Sequence, residues 1–336
     1  MSYKSLIAGC SGPELTTGEA AFFREARPCG LILFARNCVS RPQISRLVKT
    51  AQDSVGQKIF VLIDQEGGRV QRMGPPEWRA YPAARCFSRL YAGNPDEGLE
   101  AARLISRLMA QDLHEVGINV DCLPVLDVPA ADAHDIIGDR AYADDAETIS
   151  ILGRAAAEGL IEGGVLPVVK HVPGHGRAKA DSHKDLPVID ASLEDLEAID
   201  FKPFRALNDM PLAMTAHVVL TALDQSAPAT TSAHIMSEVI RKRIGFSGLV
   251  MSDDLDMAAL TGLPAERASA VISAGCDVAL HCSGILADMQ VVADALPELA
   301  GRSLERFEAA LARLTEPMVF DEDRALHLLN KTMEAV

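Results

Sequence analysis

No apolar stretch in this sequence approaches the ~18 residues needed to cross a bilayer. The run from Ser5 to Cys10 is too short for the core of a secretory signal. A soluble, cytoplasmic protein with no membrane partner is therefore expected. Basic residues are in short supply: 32 Lys and Arg face 47 Asp and Glu, a formal net charge of −15. No dense Lys/Arg run offsets that balance, and such a surface repels phosphate backbones, so nucleic acid is excluded as a partner. Cysteine pairs at CxxC spacing are also missing. The seven cysteines (Cys10, Cys29, Cys38, Cys86, Cys122, Cys276 and Cys282) are odd in number, which argues against both a zinc cluster and a disulfide framework. Several lie in apolar runs, where a buried thiol behaves as a small hydrophobe. A reducing compartment fits them best.

Repeats, linkers and low-complexity tracts are absent too, so residues 1–336 read as one domain of a length that barrels commonly reach. Apolar residues make up 48% of it, enough to fill one large core. Short apolar runs lie near Leu6–Ala8, Gly30–Phe34, Ile59–Ile63, Asn119–Val125, Pro167–Lys170, Leu212–Thr215, Gly248–Met251 and Asp277–Leu280. They are almost continuously apolar, as parallel strands covered on both faces are. Helical patterns fill the gaps, for example Leu99–Val116 and Thr148–Glu162, with Ser192 and Ser232 placed as N-caps. Residues after about Phe320 read as a helical tail. Eight such strands with intervening helices predict an α/β protein, a single (β/α)8 TIM barrel; an open doubly wound sheet is the alternative.

Polar residues cluster at or just after these strands: Asp64, Asp127, Lys170, His171, His217, Asp253 and His281. In a barrel all would ring the C-terminal face, where active sites sit. Two connections, Gln65–Pro95 and His171–Asp190, are long and rich in Gly and Pro, as functional loops often are. The second opens with Lys170-His171-Val172-Pro173-Gly174-His175-Gly176, whose glycines let the backbone turn closely around a ligand. Asp181-Ser182-His183 follows. A carboxylate two residues from a histidine can orient the ring and raise its pKa, which makes His183 a candidate proton shuttle. The plain alternative is a polar loop with incidental histidines.

Asp253 and Asp254 end the seventh strand. One can serve as a nucleophile; the other reading is an acidic helix start, which suits Asp256 and also Asp254. Spacing does not decide between Asp253 and Asp254. Asp64 can accept hydrogen bonds from sugar hydroxyls and Arg72 can donate to the same ring, while a surface ion pair with Glu66 is the alternative for Arg69 and Arg72. Asp139-Arg140 invites the same two readings.

Taken in order, these segments resemble glycoside hydrolase family 3, in its single-domain NagZ-type branch of β-N-acetylglucosaminidases. The resemblance runs from about Gly30 to Ser283. It is carried by Gly30–Asn37, Asp64-Gln65-Glu66-Gly67-Gly68-Arg69-Val70, Pro124-Val125-Leu126-Asp127-Val128 and Gly138-Asp139-Arg140. It continues in the Lys170–Gly176 and Asp181–His183 segments, Thr215–Val218, Pro228-Ala229-Thr230 and Gly248–Met257. It implies Asp253 as the carboxylate nucleophile, His183 as an acid/base histidine and Asp181 as its dyad partner. It further implies Asp64, Arg72, Arg140, Lys170 and His171 as binders of the N-acetylglucosamine ring. The substrate it implies is a GlcNAc-anhydroMurNAc muropeptide from cell-wall recycling, split by a retaining mechanism with no metal or organic cofactor. Val172 stands where the family has Phe, and Arg177-Ala178 where it often has Asp-Thr; both changes bear on the packing or mobility of the loop.

Three other chemistries fit some of these residues: a metal-dependent TIM-barrel hydrolase using His171, His175, His183 and Asp253, a Schiff-base lyase using Lys170, and a non-catalytic sugar-binding protein.

Overall fold

The computed structural model describes residues 2–182 and 185–334. Eight parallel strands close into a barrel: β1 (Lys4–Ala8), β2 (Pro28–Leu33), β3 (Phe60–Ile63), β4 (Val120–Asp121), β5 (Leu166–Val172), β6 (Leu212–Thr215), β7 (Leu249–Asp254) and β8 (Val278–His281). Each pairs with its successor, and β8 returns to β1 with Leu6 opposite Ala279. The open-sheet alternative is thereby excluded.

Side chains alternate along each strand as the two-residue period requires. Ile7, Ile32, Phe60, Leu62, Val120, Val168, Met214, Met251 and Leu280 fill the barrel interior. Leu6, Leu31, Leu33, Val61, Ile63, Val169, Ala213, Val250 and Ala279 face the surrounding helices. Both sets are buried, which is why the strands read as continuous apolar runs.

β4 is shorter than the expected Asn119–Val125. Regular pairing stops at Asp121, but the carbonyls of Leu123 and Pro124 still accept from the Val168 and Lys170 N–H groups, and Val125 bridges to Lys170. β5 and β7 run further than expected. Both reach past the apolar run, so His171 is a strand residue rather than the start of the loop, and Asp253 and Asp254 are the last two residues of β7. Their backbones are held by neighbouring strands, which fixes the side chains more tightly than a loop would.

The Gln65–Pro95 connection is less irregular than its composition suggests. It holds a ribbon of Gln65–Gly67 with Val70–Gln71 and a helix at Arg85–Gly93. Ser192 and Ser232 cap as expected: the Ser192 hydroxyl accepts from the Asp195 N–H at 3.1 Å and that of Ser232 from Ile235 at 3.2 Å. The tail is the helix Glu322–Glu334, whose Ala325 and Leu328 are fully buried. Its Arg324 and Lys331 pair with Glu100 and Glu97 on the helix Pro95–His114.

At the N-terminal mouth the barrel is stoppered by the helix Gly301–Leu311. Phe307 meets Tyr3 and Phe60 edge-on, at centroid distances of 4.7 and 4.8 Å. Asp277 pins this helix to the barrel, accepting from Ser303 at 2.7 Å, Arg306 at 2.8 Å and the Val250 N–H at 2.8 Å. The opposite, C-terminal mouth stays open.

Candidate active site

The open mouth holds a cavity of about 260 Å³, at the small end of ligand pockets, which run about 300–1,000 Å³. Its floor is the top of the barrel core, Ile32, Met214 and Leu280; its walls are charged. Lys170 on β5 is 2% exposed, a position a lone ammonium could not occupy. Its Nζ lies 3.0 Å from Asp64 Oδ1 and 2.5 Å from Glu66 Oε1. Glu66 also accepts a two-pronged contact from Arg140, at 2.8 and 2.9 Å, and Arg72 reaches Asp64 Oδ2 at 2.9 Å. Three cations thus interlock with two carboxylates. Burial alone would raise both carboxyl pKa values. The neighbouring cations win: Lys170 and Arg72 hold Asp64 well below the usual carboxylate range, and Arg140 and Lys170 bring Glu66 down to about 2. Lys170 in turn stays protonated, because Asp64 and Glu66 outweigh the burial that would lower it. A protonated, doubly paired amine is a poor nucleophile toward a carbonyl, which counts against the lyase reading.

Asp127, just beyond β4, is fully buried and organises the next loop. Its Oδ2 lies 2.7 Å from His171 Nδ1, and its Oδ1 accepts from the His175 N–H at 2.7 Å. Burial opposes the charge on Asp127, but His171 keeps it ionised, so His171 Nδ1 is the donor and the far ring nitrogen is what the ring offers the cavity. His175 is driven down to about 4, first by burial and then by His171, and is neutral. Its Nε2 lies 3.2 Å from Ser182 Oγ. Among the described residues, the donor atoms of His171, His175 and Asp253 are not gathered closely enough to share a metal ion.

The glycines of this loop serve packing rather than ligand approach. A Cβ on Gly176 would sit 2.0 Å from the Val128 carbonyl oxygen, so only glycine lets the two loops touch. Val172 is fully buried in the outer core, and Arg177 pairs with Asp200 at 2.7 Å. Both departures from the family pattern are thus absorbed by packing.

Asp253 and Asp254 both line the cavity but differ electrostatically. Burial works against the Asp253 carboxylate, yet His171, His217, the Asp254 N–H and Lys170 hold it below the usual range. The Asp254 carboxyl is pushed up to about 6 by burial and by the charges of Asp256 and Asp253. Its Oδ1 is occupied by the N–H groups of Cys282 and Asp256, each at 3.1 Å. His217 supports the strand end: its Nε2 donates to the Asp254 carbonyl at 3.0 Å, and its Nδ1 lies 2.7 Å from Thr230 Oγ1. Of the two carboxyls at the cavity, Asp253 is thus the one held below the usual range and Asp254 the one held above it.

Of the residues expected from sequence, Asp64, Arg72, Arg140, Lys170, His171 and Asp253 converge on one cavity. Asp181 is half-buried in the loop after β5, its carbonyl accepting from the Asp185 N–H at 3.0 Å. His183 lies outside the described residues; Ser182, its neighbour in sequence, lines the cavity, and its carbonyl accepts from Ala259 beyond β7. The alternative pairing of Arg69 and Arg72 with Glu66 is incorrect. Arg69 pairs with Asp139 at 3.0 Å and Arg72 with Asp64, because Arg140 already fills Glu66. Glu66, Asp127 and His217 were given no role from sequence. Their signals were nearness to a strand end and membership of the segments that carry the family resemblance.

The residues from 16 to 316 match the model of the glycosyl hydrolase family 3 N terminal domain. A β-hexosaminidase of Idiomarina loihiensis is 36% identical over 309 residues, 91% of this chain and 92% of that protein. Native NagZ from Neisseria gonorrhoeae superposes with a TM-score of 0.85 at 29% identity, covering all of this chain and 96% of that one. The same protein in complex with N-trifluoroacetyl-D-glucosamine gives 0.85 at 28% identity, with the same coverage. Barrel, cavity and kinship agree: the chain belongs to glycosyl hydrolase family 3, and is a glycoside hydrolase akin to the β-hexosaminidases of that family.

Proposed function

We propose that the protein is a retaining exo-β-N-acetylglucosaminidase that removes terminal N-acetyl-β-D-glucosamine from peptidoglycan-derived muropeptides in the cytoplasm. Asp253 attacks the anomeric carbon and forms a covalent glycosyl-enzyme. His183, oriented by Asp181, protonates the leaving oxygen and then takes a proton from the incoming water. Asp64, Arg72, Arg140, Lys170 and His171 hold the sugar ring.

The observation that carries this reading is the state of Asp253. It ends β7 inside the cavity, kept ionised by two imidazoles and Lys170. A nucleophilic carboxylate must be unprotonated at working pH, and a proton donor must come from elsewhere. Asp64 and the Arg72 side chain present hydrogen-bonding groups of both signs beside it, suited to vicinal hydroxyls. The analogue bound by the gonococcal relative is an N-acylated glucosamine, which supports the choice of sugar. Seven unpaired thiols among the described residues accord with a reducing compartment.

The deciding experiment compares hydrolysis of nitrophenyl N-acetyl-β-glucosaminide with that of the β-glucoside, followed by mass analysis after a slow fluorosugar N-acetylglucosaminide. Preference for the acetamido sugar and a stable adduct on the peptide holding Asp253 are expected. Equal use of both sugars, or an adduct elsewhere, would defeat it.

A further inference from the structure

β7 and β8 end side by side, with Asp254 opposite Leu280. The residues just there carry three potential metal donors: Asp254, Asp256 and His281, whose ligating atoms all lie within 4.8 Å of one another. We propose that Asp254, Asp256 and His281 bind one divalent transition-metal cation of the zinc type, at a site separate from the Asp181–His183 pair. The inference does not rest on the sugar chemistry.

The placement is built rather than incidental. Asp254 and His281 are strand residues, and the Cys282 N–H bonded to Asp254 Oδ1 ties the two strand ends together at 3.1 Å. The Asp256 N–H donates to the same oxygen, which folds the turn back and sets the second carboxylate over the first. Two like charges are thereby brought together. Among the described residues neither pairs with a lysine or arginine. Arg267, the nearest guanidinium influence on Asp256, spends its donors on the carbonyls of Leu255, Gly262 and Met257.

An independent observation comes from the imidazole. His281 is fully buried, and among the described residues its Nδ1 makes no hydrogen bond of acceptable geometry. It nevertheless lies 3.1 Å from Asp256 Oδ2. That is the separation of two donors aimed at a common third point: ligands sharing a zinc ion at about 2.0–2.1 Å stand about 3–3.5 Å apart. The far nitrogen, Nε2, is 3.1 Å from Ser283 Oγ, which already accepts from the Ile285 N–H. With Nε2–H donating to that hydroxyl, Nδ1 is left as a bare lone pair, the usual outer support of a metal-bound histidine. One nitrogen and two oxygens favour zinc, cobalt or nickel over calcium or magnesium, which take oxygen alone. Asp256, the exposed member, can swing to complete the set.

The test uses the full chain, stripped with EDTA and freed of chelator, titrated at pH 7 with Co²⁺ by visible absorption and with Zn²⁺ by calorimetry. Saturable binding at one site is expected, with Kd at or below about 100 µM. His281→Gln and Asp256→Asn should each weaken it by about tenfold or more, whereas Asp181→Asn should leave it within threefold of the parent. Because Asp256 is exposed, its variant keeps the test decisive if losing the buried imidazole impairs folding. No saturable binding, meaning a plain His281–Asp256 ion pair, overturns the proposal. So does binding that survives Asp256→Asn unchanged, or that is lost in Asp181→Asn.

Discussion

Glu66 stands between two buried cations, and the consequence of neutralising it can be worked through. Its carboxyl is 3% exposed and its pKa falls from an ordinary value near 4.5 to about 2. For an acid whose folded pKa is depressed, the stabilisation is fully present above the unfolded pKa and is lost as pH falls toward the folded one. A shift of this size corresponds to about 3 kcal/mol. Glu66→Gln keeps the shape but lacks the charge. The parent should therefore exceed the variant by about 3 kcal/mol at pH 6, and by less than about half of that at pH 3. Urea unfolding followed by fluorescence of Trp78, the one tryptophan and a buried one, measures both differences. Comparing the two proteins at each pH cancels the acids that lie outside the Lys170 cluster. A gap that stays constant between pH 6 and pH 3 would show that Arg140 and Lys170 do not hold Glu66 ionised, and the account of the charged wall would fail.

Asp253→Asn should lower turnover by at least about 10³-fold for sugar and nitrophenyl leaving groups alike; substantial residual activity would transfer the nucleophile to Asp254. His183→Ala should cost about 10²–10⁴-fold with a sugar leaving group and far less with nitrophenol, and equal slowing of both would contradict the acid role. EDTA should leave hydrolysis unchanged, since no proposed step uses a cation; inactivation restored by zinc would revive the metal-dependent alternative. Gly176→Ala should destabilise the chain by about 1–3 kcal/mol through its collision with the Val128 carbonyl, read as a lowered urea midpoint. An unaltered midpoint would mean that the two loops separate freely.

The strands were legible because burial on both faces leaves an unbroken apolar signature, and polar residues ending those runs marked the catalytic mouth. Lys170 and Asp253 were found in this way. Pairings were not legible. Glu66 meets Arg140 across 74 positions, and nothing local distinguishes Arg140 from Arg69 as its partner. The role of Asp127 was hidden for the same reason, since its partners, His171 and the His175 N–H, arrive from another strand. Spacing left Asp253 and Asp254 equivalent; they differ only through the imidazoles and carboxylates that folding gathers around each. The glycines of Lys170–Gly176 correctly signalled close approach, but the surface approached is the chain itself.

The stopper formed by Phe307 imposes an order on assembly. Tyr3 and Phe60 emerge from the ribosome early, yet the ring that covers them, Phe307, is made roughly 300 and 250 residues after them. Until β8 has been made, the β1–β8 seam cannot close. The catalytic mouth at the other end therefore acquires its final shape only once β7, β8 and the Gly301–Leu311 helix have all been made.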